Sequence, residues 1–429
     1  MVKILFVPTE SREIAQFSLI KPVLEAENHE VMAIALDKGR AVDKSKEPLE
    51  ALLQQRGYHY KTITDYKTKN MIKIIKKEKP DIIVTDWSGF TPNALIYAAN
   101  YTGIPCLQIN DGVTSNYFAV KRVPALRQSL ITLMRRALRL LLFRANPRAL
   151  AYLFTTLISI YNPLEFFKKM TREMIKSTYP ISSYTEGLNI AVVSRFAKDA
   201  HINMGAPADK IFVTGQPRFD LIEQSKTDRR KIIADLGIPK DKGIVVLATQ
   251  PLGTLWTEKD REEFVSNVVN AMHEFSEKQL VIKIHPGENP EEYQKILTGV
   301  AGSKAIVCQS IDLYGLLRAC DVLMTVHSTV ALEAMIMDKP VIIINLSRRP
   351  DAMPYAQSGA ALGVYKKEDI VPAIRKALYD LKVRKELKKS RDKFVAEHAY
   401  KLDGQATKRV AELIIRLAED SKRKGGILT

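Results

Sequence analysis

DVLMTVHSTVALEAM, residues 321–335, decides the fold. An apolar run ends at Val326, three polar residues follow, and an apolar stretch carrying a single carboxylate, Glu333, resumes. Unbroken Val/Ile/Leu-rich runs bounded by turn residues read as parallel strands buried on both faces. The polar break is therefore the turn from a strand into a helix that starts near Thr329. The first N–H groups of a helix have no partner inside it, and its dipole favours an anion there. Hydroxyls of Ser328 and Thr329 add donors, so His327-Ser328-Thr329 is a candidate phosphate cradle without a glycine-rich loop. The plainer alternative makes Ser328 an N-cap. A capping box would place Glu or Gln three residues on, where Ala331 stands. Glu333 shares a helix face with Thr329. Turned to a ligand, it accepts from ribose hydroxyls; turned to the core, it needs a basic partner.

Outward from this stretch the same alternation recurs. VKILFVP (2–8), HEVMAIAL (29–36), DIIVTD (81–86), PCLQIN (105–110), NIAVVS (189–194) and KIFVTG (210–215) form one set of strand-like runs. GIVVLATQ (243–250), KQLVIKIHP (278–286), KAIVCQ (304–309), CDVLMTV (320–326) and KPVIIINL (339–346) form a second. Helix-like stretches separate them, and QPRFDLIEQSKTDRR reads as a crossover of weak apolar periodicity. The pattern predicts an α/β chain of two Rossmann-like domains facing a central cleft, with a basic helical insertion in the first. The expected domains are 1–218, with insertion 117–180, and 219–385, followed by a helical tail, 386–429, packing back on the first domain.

A chain of 429 residues suits two cores. Three cysteines without CxxC spacing argue against a disulfide framework or a zinc site. MVKILFVPTE opens on a strand and lacks the pattern of a signal peptide. The sequence has no GxxxxGK[ST], no GxGxxG after the first strand and no GxSxG, which excludes P-loop, ordinary NAD-binding and α/β-hydrolase readings. Its scattered histidines suggest no metal cluster, and no cofactor is expected.

Other strand ends carry candidate chemistry. His285 precedes Pro286, which forces a turn; there it can donate to a phosphate or act as a general acid. Asp111, in INDG, is a candidate base or an ordinary Asp-Gly turn, with Asp86 and Glu10 as rivals. Gly215 and Gln250 stand at turns that can line a donor site or simply turn the chain.

The formal charge of +17 is uneven, because residues 117–176 hold twelve basic and two acidic side chains. Arg135, Arg136, Arg139 and Arg144 lie among leucines in an amphipathic pattern. Its apolar run, 149–161, is shorter than the roughly 20 residues a membrane span needs. Such a segment suits the surface of an anionic membrane. A packed insertion with a solvated basic face is the alternative, and nucleic acid is not the expected partner.

The run DLYGLLRACDVLMTVHSTVALEAMIMDKPVIIINL resembles the donor-binding half of GT-B glycosyltransferases, and GLNIAVVSRFAKDAHINMGAPADKIFVTGQPRFD the end of their acceptor domain. NDG (110–112), HP (285–286) and ST (328–329) fall in the order of three motifs of bacterial sialyl- and polysialyltransferases, with Asn110 where an acidic residue would stand. Similar pieces occur in capsule enzymes and in the glycerophosphotransferases of teichoic acid synthesis. The resemblance implies Asp111 as base, His285 as donor-phosphate contact and acid, and Ser328 and Thr329 on phosphate. It implies a metal-independent glycosyltransferase that moves a sugar from a nucleotide-sugar donor to a lipid-linked or glycan acceptor, cytoplasmic and peripheral at the inner membrane face. The architecture is shared with nucleotide-sugar 2-epimerases, such as those acting on UDP-N-acetylglucosamine, and an isomerase is the alternative. Those epimerases carry a His-Val-Glu-Ala-Gly-Leu-Arg run after the strand that here reads PCLQINDG.

Overall fold

The computed structural model describes residues 1–8, 11–35, 49–68, 70–85, 90–110, 187–203, 205–225, 227–250, 257–347 and 350–425. Expectations for Glu10, Asp86, Asp111, Arg135, Arg136, Arg139, Arg144 and the insertion 117–180 fall outside them. The chain divides into two compact units, Met1–Asp220 with Ala399–Thr429, and Leu221–His398.

The first unit holds a parallel sheet of β1 (Lys3–Phe6), β2 (Glu30–Ala35), β3 (His59–Thr62), β4 (Ile82–Thr85), β5 (Cys106–Ile109), β6 (Leu188–Val192) and β7 (Ile211–Val213). The strand order is β3-β2-β1-β4-β5-β6-β7. Parallel strands need crossovers, which here include α1 (Ser11–Ala26), α2 (Leu49–Gln55), α3 (Met71–Glu78), α4 (Phe90–Tyr101) and α5 (Arg195–Asn203). Strand residues such as Ile4, Phe6, Ile82 and Leu107 are wholly buried, which is why these runs are apolar throughout.

α6 (Pro217–Gln224) straddles the division at Asp220, and α7 (Arg229–Leu236) follows. The segment expected to be a crossover is thus largely helical; Asp228 caps α7 by accepting from Lys231 N, and Gly237 ends it at φ 64°. The second unit continues with β8 (Gly243–Ala248), α8 (Glu258–Met272), β9 (Lys278–Lys283), α9 (Pro290–Gly299), β10 (Ile306–Cys308), α10 (Leu313–Ala319), β11 (Val322–Thr325), α11 (Val330–Ile336), β12 (Val341–Ile344), β13 (Leu362–Val364), α12 (Ile370–Tyr379) and α13 (Leu381–His398). Its parallel sheet has the order β10-β9-β8-β11-β12-β13. The order reverses between β8 and β11, and that reversal is where open α/β sheets bind ligands. The core joins Val245, Leu247, Leu280, Ile282, Val322 and Met324 from the sheet to Val265, Val268, Ile374 and Ala377 from α8 and α12.

The second unit extends past the expected boundary at 385, to His398, because α13 packs on α11 and α12. Only α14 (Ala406–Gly425) returns to the first unit. Its Val410, Leu413, Ile414 and Ala418 join the core formed with α1 and the sheet. Its first turn is held by Asp220, whose carboxylate accepts from Ala406 N at 3.1 Å and Thr407 N at 2.7 Å.

Candidate functional site

The polar side chains of the second unit collect at the C-terminal ends of its strands. β8 is followed by Thr249 and Gln250, β9 by His285, β11 by His327, Ser328 and Thr329, and β12 by Asn345. Because all these strands are parallel, their ends share one edge of the sheet. At the reversal point itself Gln250 Oε1 accepts from His327 N at 3.0 Å, tying the end of β8 to the end of β11. Thr325 repeats the link one step deeper, its Oγ1 donating to Ala248 O at 2.9 Å.

After β11 the chain enters α11 without a side-chain cap. Thr329 occupies the cap position in αR geometry and makes no capping hydrogen bond. Ser328 Oγ accepts from Val330 N at 3.3 Å, a local turn contact. Glu333 is 2 % exposed, so it faces inward. It lies close enough to Tyr355 that its charge, after burial itself, raises the phenol's pKa. The sequence left Glu333 open between ribose and core; the structure places it inside the unit, next to a fully buried tyrosine.

The turn after β9 is more heavily tied. His285 N donates to Thr249 Oγ1 at 3.0 Å, and Thr249 Oγ1 donates to Glu288 Oε2 at 2.6 Å. Tyr293 OH donates to Glu288 Oε1 at 2.7 Å, and burial foremost, then this carboxylate, raises the pKa of Tyr293. Gln309 Nε2 donates to the carbonyls of His285 and Glu288, at 2.9 and 2.8 Å. His285 itself is exposed.

A third cluster was not foreseen from the sequence. Asp351, 7 % exposed, accepts from Asn345 Nδ2 and Tyr365 OH, both at 2.7 Å. Burial first, then this bond, pushes the Tyr365 phenol up to about 12. Asp351 also acts on His327: burial lowers the imidazole's pKa and the Asp351 charge opposes that shift. The one signal available was Asn345 at a strand end; Asp351 lies in irregular chain with no periodicity to mark it.

Gly215 belongs to the first unit. It sits at φ 81°, and a Cβ there would stand 2.9 Å from Tyr400 O, so close packing against the returning chain accounts for the glycine. Arg409 Nε donates to the neighbouring Thr214 O at 2.7 Å. In the same unit Asn110, which precedes Asp111, has its Nδ2 3.0 Å from His201 Nε2.

A cavity of about 180 Å³ lies at the opposite end of the second sheet, lined by Lys242, Phe275, Lys278, Gln279 and Lys304 among others. It is remote from the strand ends above, and the site is assigned from their polar convergence and topology rather than from cavity size. Among the described residues no group of three His, Cys, Asp or Glu side chains is placed to hold a metal ion, and no helix is long and apolar enough to cross a membrane.

The fold matches solved structures over nearly its full length. A UDP-GlcNAc 2-epimerase from Neisseria meningitidis bound to UDP-GlcNAc is 14% identical at a TM-score of 0.59, covering 96% of this chain and 100% of its own. A second, from Methanocaldococcus jannaschii in complex with UDP-GlcNAc and UDP, is 16% identical at 0.55, covering 96% and 99%. A variant of the wall teichoic acid polymerase TagF is 13% identical at 0.56, covering 98% and 90%. At such identities the likeness shows the fold alone, a two-domain GT-B-like arrangement. No curated protein matches the sequence. The family model described as UDP-N-acetylglucosamine 2-epimerase matches residues 190–415, more than half of the chain, and takes in the whole second unit with every strand end described above. The chain therefore belongs to the UDP-N-acetylglucosamine 2-epimerase family.

Proposed function

We propose that the protein is a UDP-N-acetylglucosamine 2-epimerase-type isomerase that holds its nucleotide-sugar at the C-terminal ends of β8, β9 and β11. The observation that supports this reading above others is the family match across residues 190–415, which contains Gln250, His285, His327, Ser328, Thr329 and Glu333. In this reading His285 donates to the diphosphate, and the hydroxyls of Ser328 and Thr329 with the first N–H groups of α11 add donors beside it. Glu333 and Gln250 line the nucleotide side. Inverting a carbon centre that bears hydrogen breaks and remakes a C–H bond, so a base is required as well. Asp111, Asp86 and Glu10 are the candidates for it. No cofactor is assigned.

The second reading is transfer of a sugar or glycerophosphate from a nucleotide-activated donor to a lipid-linked or glycan acceptor. It is favoured by one sequence feature: INDG follows β5 where the epimerases carry His-Val-Glu-Ala-Gly-Leu-Arg, and this stretch lies before the matched residues. In that reading Asp111 deprotonates the acceptor. The basic segment 117–180, with Arg135, Arg136, Arg139 and Arg144, holds the enzyme at an anionic membrane surface, which flotation with anionic vesicles tests.

Incubation with UDP-GlcNAc alone in D2O separates the two. Epimerisation gives the 2-epimer with deuterium at C2, read by proton NMR. Neither epimer nor exchange, together with turnover only after an acceptor is supplied, would sink the isomerase reading in favour of transfer.

A further inference from the structure

The turn after β9 is organised around one imidazole. His285 O accepts from Glu288 N at 2.9 Å, which closes a four-residue turn with Pro286 in its second position. His285 Nδ1 accepts from Gly287 N at 3.0 Å. A ring nitrogen that accepts a backbone N–H carries no proton, so in the neutral ring the proton is on Nε2. The tautomer is therefore written into the turn, and it lasts only while the turn keeps its shape.

What keeps the turn in shape is Glu288. An ionised carboxylate only accepts, so the hydroxyls of Thr249 and Tyr293 must both point their protons at it. Thr249 has a single hydroxyl proton. With that proton committed to Glu288, its oxygen is left to accept, and what it accepts is the N–H of His285. The chain Glu288–Thr249–His285 N thus has a fixed polarity, and Gln309 clamps the carbonyls of His285 and Glu288 from the other side.

We infer that Glu288 is a positioning residue, which through Thr249 and the 285–288 turn holds His285 as the Nε2–H tautomer and so makes it a hydrogen-bond donor rather than a base. The donor's use rests on the nucleotide-sugar reading above; the tautomer does not. Tyr293, five residues after Glu288 in sequence, takes the second carboxylate oxygen and stops it from rotating away from Thr249.

The test is nitrogen-15 NMR of histidine-labelled protein, with the His285 signals assigned by their loss in His285→Gln, paired with calorimetric titration of UDP. The wild type should show His285 as Nε2–H. Glu288→Ala should give an averaged two-tautomer pattern and bind UDP about tenfold more weakly, the equivalent of one lost charge-assisted hydrogen bond. Thr249→Val should reproduce that change and Thr249→Ser should restore the wild-type pattern, which a merely structural contact would not predict. Where Glu288→Ala fails to fold, Glu288→Gln and Thr249→Val carry the same comparison. A mixed tautomer in the wild type, or an unchanged tautomer in folded Glu288 and Thr249→Val variants, overturns the inference. UDP binding to none of the proteins would defeat the nucleotide-sugar reading, while the tautomer comparison would still decide the role of Glu288.

Discussion

Two strand ends of the second sheet, after β9 and after β11, lie on the same edge and are built in different ways. At the end of β9 the chain turns on Pro286, and side chains from three other segments, Thr249, Tyr293 and Gln309, tie that turn down. At the end of β11 only Gln250 reaches across, to a backbone N–H, and Ser328 satisfies its own local chain. Thr329 makes no capping bond, and its hydroxyl has no partner among the described residues. One end holds a side chain still. The other leaves hydroxyls and the first N–H groups of a helix for something outside the chain. In a site that must orient a reacting group and also bind a phosphate, rigidity matters where the reacting group stands, because preorganised donors need no reorganisation as charge develops.

Changes at the two ends should therefore fail differently. His285→Ala should give the largest effect, a fall in kcat for UDP-GlcNAc turnover of about 100-fold, the usual cost of one preorganised donor. An equal fall confined to KM would mean that His285 only binds. Ser328→Ala combined with Thr329→Val should come next. UDP affinity should drop about tenfold, while unfolding free energy stays within about 0.5 kcal/mol of wild type, because these groups hold nothing else in place. A clear loss of stability with unchanged affinity would make the pair a helix start and nothing more.

Tyr293→Phe probes the brace itself. Removing the hydroxyl leaves one oxygen of Glu288 without its hydrogen bond in a partly buried setting, which should cost about 1–3 kcal/mol of stability. Denaturant melts read this directly. Stability that does not change would show that solvent replaces the hydroxyl, and that the β9 turn is less tightly built than its hydrogen bonds imply.

Much of this was readable in the sequence, and the division follows a physical line. Central strands such as 81–86 and 320–326 are buried on both faces, so each announces itself as an apolar run. β3, His59–Thr62, and β13, Leu362–Val364, are short edge strands with polar or glycine residues, and nothing in HYKT or LGV demands burial. His285, Ser328 and Thr329 could be picked out because a polar residue at the end of an apolar run is conspicuous. Glu288 could not, because its partner Thr249 lies 39 positions away and only the β8–β9 pairing brings them together. Asp351 escaped for the same reason: its meaning depends on Asn345, Tyr365 and His327 converging from separate strand ends. The domain limits were legible to within one helix, since α13 is as basic and amphipathic as a tail helix and only its packing assigns it to the second unit.

The smallest effect concerns acid. Burial lowers the imidazole pKa of His327 at the β11 end, and the pKa values of His201 and His398 likewise, the last to about 4. Each of these groups takes up a proton more readily in the unfolded chain than in the folded one. Between the unfolded value of about 6.5 and the lowered folded value, the unfolded state binds more protons, so stability rises with pH across that window and is lost as pH falls through it. Melting temperature should therefore decline from about pH 6.5 toward pH 4. His398→Leu should remove the largest share of that decline, because its shift is the widest and Leu can still pack on Phe394, whose ring lies 4.0 Å from the imidazole. His327→Gln should remove a smaller share, since Asp351 already offsets part of the burial effect. The β9 turn, measured by the tautomer of His285, should be unchanged in His398→Leu. A decline that persists in the double variant would place the acid sensitivity in carboxylates such as Asp338, whose bond with Arg391 holds its pKa down and which lends stability only while it is ionised.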